Sequence, residues 1–357
     1  MSAKINSVQA LRGIAAIMVM FFHYRFLIND SHDGLGDKLF IYGGYGVDIF
    51  FVISGFVITL SSIDKPTGFQ GAFHFIKNRA KRLLPAYFII LIITLALSGG
   101  LSLFHYHNKV ENLISALFFI PIYASKSPVF IDTSEIYGVR WTLNYEMYFY
   151  FVMACSMLFT RRWLVMFAWF AIALIVVPVC LTQTIPLQPG VVLSQSAYFN
   201  LMTNPMVFEF LIGVTLGLAY KKIKCVNGYA KIITTLLSLL CIMFLYKSHG
   251  GLDRENMQVG LISGLLFLII IINEKFLESI TPRFLVFLGE ISFSLYLIHN
   301  AMNSIVNRRL DKLGVPDGLG KFILYSVLSI FLAWLSYRYI ERATFSRKKR
   351  LQLSNGD

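Results

Sequence analysis

The chain has 357 residues, of which 56% are hydrophobic and 14% charged, and it carries a formal charge of +13. Soluble domains carry about 25% charged residues, so a mean hydropathy of +0.65 with repeated apolar runs near 20 residues excludes an ordinary soluble fold. The positive charge then belongs to loops at a membrane surface rather than to a nucleic-acid interface.

The first apolar run, about 8–28, is long enough to span and has no small-residue cleavage site after it, so it reads as a helix that stays. Arg12, Ala16, Val19 and His23 share one of its faces. Eleven residues of helix rise about 16 Å, which puts Arg12 near one membrane surface and His23 well inside. A polar ring at that depth faces the bundle interior, where it either hydrogen-bonds a neighbouring helix or does chemistry.

Further runs follow at 41–62, 85–104, 112–124, 141–160, 163–182, 201–220, 229–246, 257–273, 284–306 and 321–340. Charge placement tests this list of eleven. Lys65, Lys77, Arg79, Lys81 and Arg82 face a single acid in 64–82, which makes that segment cytoplasmic, whereas Asp30, Asp33 and Asp37 place the first loop outside. Arg161–Arg162, Lys221–Lys222–Lys224 and the tail Arg347–Lys348–Lys349–Arg350 all fall inside only if 112–124, short and interrupted by Pro121, does not cross. The expected fold is therefore an all-α, polytopic membrane bundle. It has about ten transmembrane helices, a re-entrant or interfacial segment at 112–124 and both termini cytoplasmic, with 1–345 as the membrane domain and 346–357 as a basic tail. Residues 308–321 dissent, with four basic and two acidic groups on the outer side.

On this topology, four ionisable groups from four helices reach similar depth in the outer half: His23, Asp48, Glu146 and His299. His299 belongs to a polar stripe with Ser292, Tyr296 and Asn303, which a lipid-facing helix would not show. Each has a structural reading beside the functional one. Asp48, with Gly44 and Gly55 on its face, can bond a neighbouring helix; Glu146, near Trp141, Tyr145 and Tyr148, can be a solvated helix end; Glu209 can bond within the bundle, above a Gly213/Gly217 packing pair. On the cytoplasmic side, FHFIKNRAKRLLP sets Arg79 and Arg82 three apart on one helix face. Such a pair binds anionic lipid headgroups or the phosphates of a cofactor, to which the arginine fork is well suited. The four cysteines lack metal or disulfide spacing, and no metal is expected.

At these residues the sequence resembles the acyltransferase family 3 membrane proteins, which O-acylate cell-surface glycans and related molecules. The resemblance runs nearly end to end: ALRGIAAIMVMFFH, GVDIFFVISGF, RAKR as R-x-x-R, WTLNYEMYFY as W-[ST]-L-x-x-E, FEFLIG, SFSLYLIH and YIE. It implies a bacterial inner-membrane O-acyltransferase, in the first place an acetyltransferase. Acetyl-CoA would be the donor and a surface polysaccharide or its lipid-linked precursor the acceptor. His23 maps to the family's first-helix histidine, as general base or transient acyl carrier; Glu146 or Asp48 would orient its ring. Arg79 and Arg82, with Arg12, would hold the donor phosphates, and His299, Tyr296 and Trp141 would contact substrate. Many members have a second acid after the glutamate; here Met147 stands there. The chain ends about 17 residues after its last span, so no appended esterase-like domain is expected. The rival reading is a proton-coupled transporter of a glycan or small anion, with the histidines as a relay.

Overall fold

The computed structural model describes residues 5–29, 33–97, 106–134, 137–248, 257–302, 305–306 and 308–343. Asp30, Asn303 and the basic tail lie outside the described residues. Among the described residues every regular element is helical. The principal helices are α1 (Asn6–Tyr24), α2 (Gly46–Ser62), α3 (Phe69–Leu97), α4 (His107–Phe118), α5 (Arg140–Met157), α6 (Arg162–Thr182), α7 (Val207–Lys224), α8 (Gly228–Ser248), α9 (Gln258–Ile272), α10 (Glu274–Ile280), α11 (Arg283–Met302) and α12 (Leu319–Glu341).

Eight of the described helical segments are long and apolar enough to cross a membrane, or nine if α9 and α10, bent by 80° at Asn273, form one broken span. This is fewer than the ten expected. The difference lies in α5 and α9. Helix α9 is only 15 residues long. Helix α5 carries Arg140, Asn144 and Glu146, which lower its hydropathy, yet 12 of its 18 residues are buried and it sits among α3, α6 and α7. Polarity in this helix marks the middle of the bundle.

Helix α4 has 12 residues, about 18 Å, against a hydrocarbon core of about 30 Å. It ends where Phe119 turns into the left-handed region at φ 56°. It is tied to its neighbours by polar contacts: Tyr87 of α3 donates to the Ala116 carbonyl at 2.7 Å, and the fully buried Arg140 donates to Asn112 Oδ1 at 2.8 Å and Ser115 Oγ at 3.3 Å.

Two parallel helix pairs organise the interior, and both rest on glycine. Helix α2 lies against α7. A Cβ on Gly55 would sit 2.0 Å from the Phe210 carbonyl oxygen, and one on Gly213 would sit 1.9 Å from that of Val52. Helix α1 lies against α11, where a Cβ on Gly289 would sit 1.9 Å from the Gln9 carbonyl oxygen and one on Gly13 would sit 2.8 Å from Gly289 N. Lipid tails are as apolar as leucine, so close backbone approach and van der Waals packing drive such association. At the basic end of the bundle, Arg162 donates to the Ser62 and Ile63 carbonyls at 3.0 and 3.2 Å. It thereby satisfies acceptors that the end of α2 leaves open and complements the helix dipole.

Candidate active site

A cavity opens between α1, α2, α3, α5 and α11. Helix periodicity delivers its polar groups. Arg12 comes from the second turn of α1, Arg79 and Arg82 from one face of α3, and Glu146 and Tyr150 from one face of α5 at i, i+4. The wall facing them is the apolar side of α2 from Val47 to Ile58, and Thr142 and Tyr296 line the cavity as well.

The arginines are held by aromatic and hydroxyl groups. Arg79 donates to Ser61 Oγ, and its guanidinium carbon lies 5.6 Å from the Phe75 ring centre and 5.8 Å from that of Tyr150. The Tyr150 hydroxyl donates to Glu146. Arg12 is within electrostatic reach of Arg82, Glu341 and Glu146. Glu341, in the last turn of α12, accepts from Ser294, which also bonds Ser336 at 2.8 Å. Three guanidinium groups thus face two carboxylates, an arrangement that retains net positive charge for an anionic ligand.

The two histidines meet one aromatic ring away from this cavity. The His23 and His299 ring centres are 5.0 Å apart, and Tyr296, which lines the cavity, lies 5.5 Å from His299. His23 is half-buried and His299 fully buried. Tyr296 is fixed by Thr142 Oγ1 at 2.8 Å and by the Val139 carbonyl at 3.2 Å. The other expected site residues lie around these groups. Trp141 packs edge-on against Phe51 and Tyr145, behind the α2 wall. Asp48, in the first turn of α2, is buried outside the cavity lining, and so is Glu209 in the first turn of α7, whose Cγ would lie 2.7 Å from a Cβ on Gly260 of α9.

The structure therefore sorts the expected residues into two groups. Arg12, Arg79, Arg82, Glu146 and Tyr296 share the cavity, and His23 pairs with His299 beside it. Sequence reasoning missed Tyr150, although it stands one helical turn from Glu146, and it left Glu341 without a role. It also missed a repeated spacing. Gly13 precedes His23 by ten residues and Gly289 precedes His299 by ten, so two parallel helices crossing at their glycines bring the histidines level. Among the described residues, no three His, Cys, Asp or Glu side chains gather as metal ligands.

Comparison with known proteins agrees with this architecture. The acyltransferase domain family matches residues 5–338. The chain is 30% identical over 329 residues to the exopolysaccharide production protein ExoZ of Rhizobium meliloti (strain 1021), covering 89% of this chain and 92% of that protein. It is 26% identical to a "Putative O-acetyltransferase" of Staphylococcus aureus (strain COL), aligning over 98% of this chain but only 58% of that longer protein. It is 24% identical to Nodulation protein 10 of Rhizobium leguminosarum bv. viciae, over 97% of this chain and 95% of that protein. No solved structure matches. A family match that starts before Arg12, ends at Arg338 and takes in both histidines and all three cavity arginines shows that this chain belongs to acyltransferase family 3 and is an acyltransferase.

Proposed function

We propose that the protein transfers an acyl group, in the first place acetyl, from acyl-coenzyme A to a hydroxyl of a cell-surface polysaccharide or its lipid-linked precursor. One observation carries this reading. A net-positive arginine cluster lines one cavity, and a histidine pair lies beside it, behind Tyr296, which lines that cavity and packs against His299. The similarity to ExoZ supports a polysaccharide acceptor. Family membership sets aside the transporter reading.

Arg12, Arg79 and Arg82 fit the donor's phosphates, because planar forked donors match phosphate oxygens. The apolar α2 wall fits the uncharged arm of the donor. Glu146, bonded to Tyr150 on the arginine side, holds the guanidinium groups in place. His23 takes the proton of the acceptor hydroxyl as its oxygen attacks the thioester carbon. A C–O bond forms, the C–S bond breaks, and the proton passes to the departing thiolate. The membrane is the bacterial inner membrane and both termini are cytoplasmic, a placement supported by the basic N-terminal half of α3 and the basic last turn of α7.

The test uses the purified full chain with labelled acetyl-coenzyme A and surface polysaccharide from the producing cells. His23→Ala should lower transfer by about 10²–10⁴-fold while the variant still inserts and folds. Transfer within a few-fold of wild type would remove His23 from the role of base.

A further inference from the structure

His299 lies fully buried in α11, three residues beyond the tyrosine that lines the cavity. Its Nδ1 is 3.1 Å from the carbonyl oxygen of Leu295. A carbonyl can only accept, so Nδ1 carries the proton. In the neutral ring Nε2 is then a lone-pair acceptor. Among the described residues Nε2 has no hydrogen-bond partner. Buried polar atoms are nearly always satisfied, and an orphan in a packed core calls for an occupant. His299 is held firmly in this pose. The Tyr24 hydroxyl donates to the His299 carbonyl at 3.0 Å and pairs with Ser329 of α12 at 2.7 Å. His23, beside Tyr24 on α1, has its ring 5.0 Å away at an angle of 43°.

We infer that His299 is the positioning residue of the base: its Nε2 accepts the N–H of His23 and fixes the tautomer that presents the other His23 nitrogen to the acceptor hydroxyl. This rests on the reading of His23 as the base. The ring centres stand close enough that a modest rotation brings the facing nitrogens to about 3 Å, hydrogen-bond range. The partner that orients a catalytic imidazole is commonly a carboxylate. Here it is a second, neutral imidazole whose own tautomer is dictated by the backbone of α11. Such a partner holds the base in line without placing a fixed negative charge beside an anionic donor. It also explains why the Glu146 carboxylate can sit with the arginines and leave the imidazole to another group. His299 touches neither substrate nor reacting atoms in this scheme.

The first test reads the wild-type protein, with variants used only to assign its signals. Full-length chain labelled with ¹⁵N-histidine, in detergent micelles, has its His23 and His299 signals assigned from His23→Gln and His299→Gln. The expected spectrum shows His299 protonated at Nδ1, His23 in a single neutral tautomer, and scalar coupling across an N–H···N bond between them. A proton on His299 Nε2, or two His23 tautomers in wild type, would overturn the inference. Variants give the second arm. His299→Gln keeps an amide acceptor near the place of Nε2 and should retain the single tautomer. His299→Leu should give a tautomer mixture and reduce kcat about 10–100-fold with the donor KM unchanged, as for other orienting partners. A single tautomer that persists in His299→Leu would mean that something else, such as a bound water, does the positioning. Acetyl release from labelled acetyl-coenzyme A is measured on the same samples. Intact coupling in a protein that transfers no acetyl group would leave the histidine pair standing and remove the proposed function instead.

Discussion

Arg79 and Arg82 stand three residues apart on α3, and Arg79 lies beside the Phe75 and Tyr150 rings while donating to a hydroxyl of α2. That setting suits a planar guanidinium and not a flexible ammonium, which can neither stack nor fork. Arg79→Lys should therefore lose most of what Arg79→Ala loses. Coenzyme A affinity, measured by calorimetry on detergent-solubilised protein, should fall about 10–100-fold in both, since hydrogen bonds to charged groups contribute about 1.5–3 kcal/mol. Unchanged affinity in both variants would return the pair to its other reading, a lipid-headgroup anchor. The R-x-x-R spacing and the Glu146 carboxylate were legible in the sequence because each depends on three or four adjacent residues. Their meeting with Arg12, Tyr150 and Glu341 was not, because it requires contacts between α1, α3, α5 and α12 that no local spacing records.

At the scale of elements, the glycine contacts do two different jobs. Gly213 sets the distance between α7 and α2, whereas Gly289 sets the register of α11 on α1 and with it the level of the two histidines. At both positions an added Cβ meets a backbone oxygen near 2 Å, which no side-chain rotation relieves. Gly213→Ala and Gly289→Ala should each destabilise by about 1–3 kcal/mol, read from thermal unfolding in micelles. Gly228→Ala, with nothing near its Cβ, should change little. Gly289→Ala should in addition lower acetyl transfer per folded molecule, while Gly213→Ala should leave it within a few-fold of wild type. Equal losses of transfer per folded molecule in both would detach the histidine register from the α1–α11 crossing. The sequence showed the Gly213/Gly217 pair as a packing signal but gave no weight to Gly13 and Gly289, because neither has a small residue four positions away in its own helix. The dissenting segment 308–321 has a physical account too. Its Lys321 is buried between Asp311 and Asp317, 2.6 Å from each, and Arg309 reaches the Leu97 carbonyl at 3.5 Å, so these charges are bound into structure and are a poor guide to topology.

For the molecule as a whole, the proposed function requires a route by which acyl-coenzyme A held at the arginines brings its thioester to the histidine pair. The arginines of the cavity lie on α1 and on the basic N-terminal half of α3, and the histidine pair lies beyond Tyr296, toward the other end of α1. From Arg12 to His23 is about 16 Å along α1, a distance that the extended arm of acyl-coenzyme A can cover while its nucleotide stays in the basic mouth. Ser54 marks the middle of this route, on the α2 wall. With the four native cysteines replaced by serine, a cysteine at Ser54 should react with a charged, membrane-impermeant thiol reagent only when the reagent is on the cytoplasmic face of sealed vesicles. Coenzyme A should slow that reaction at least about 10-fold, as expected when a ligand well above its Kd occupies the route. A cysteine at Ser134, in the exposed turn between α4 and α5, should react from the opposite face alone. Labelling of both positions from one face would overturn the orientation. Labelling of Ser54→Cys from the cytoplasmic face without protection by coenzyme A would place the donor elsewhere, and the path from the arginines to His23 would lose its purpose.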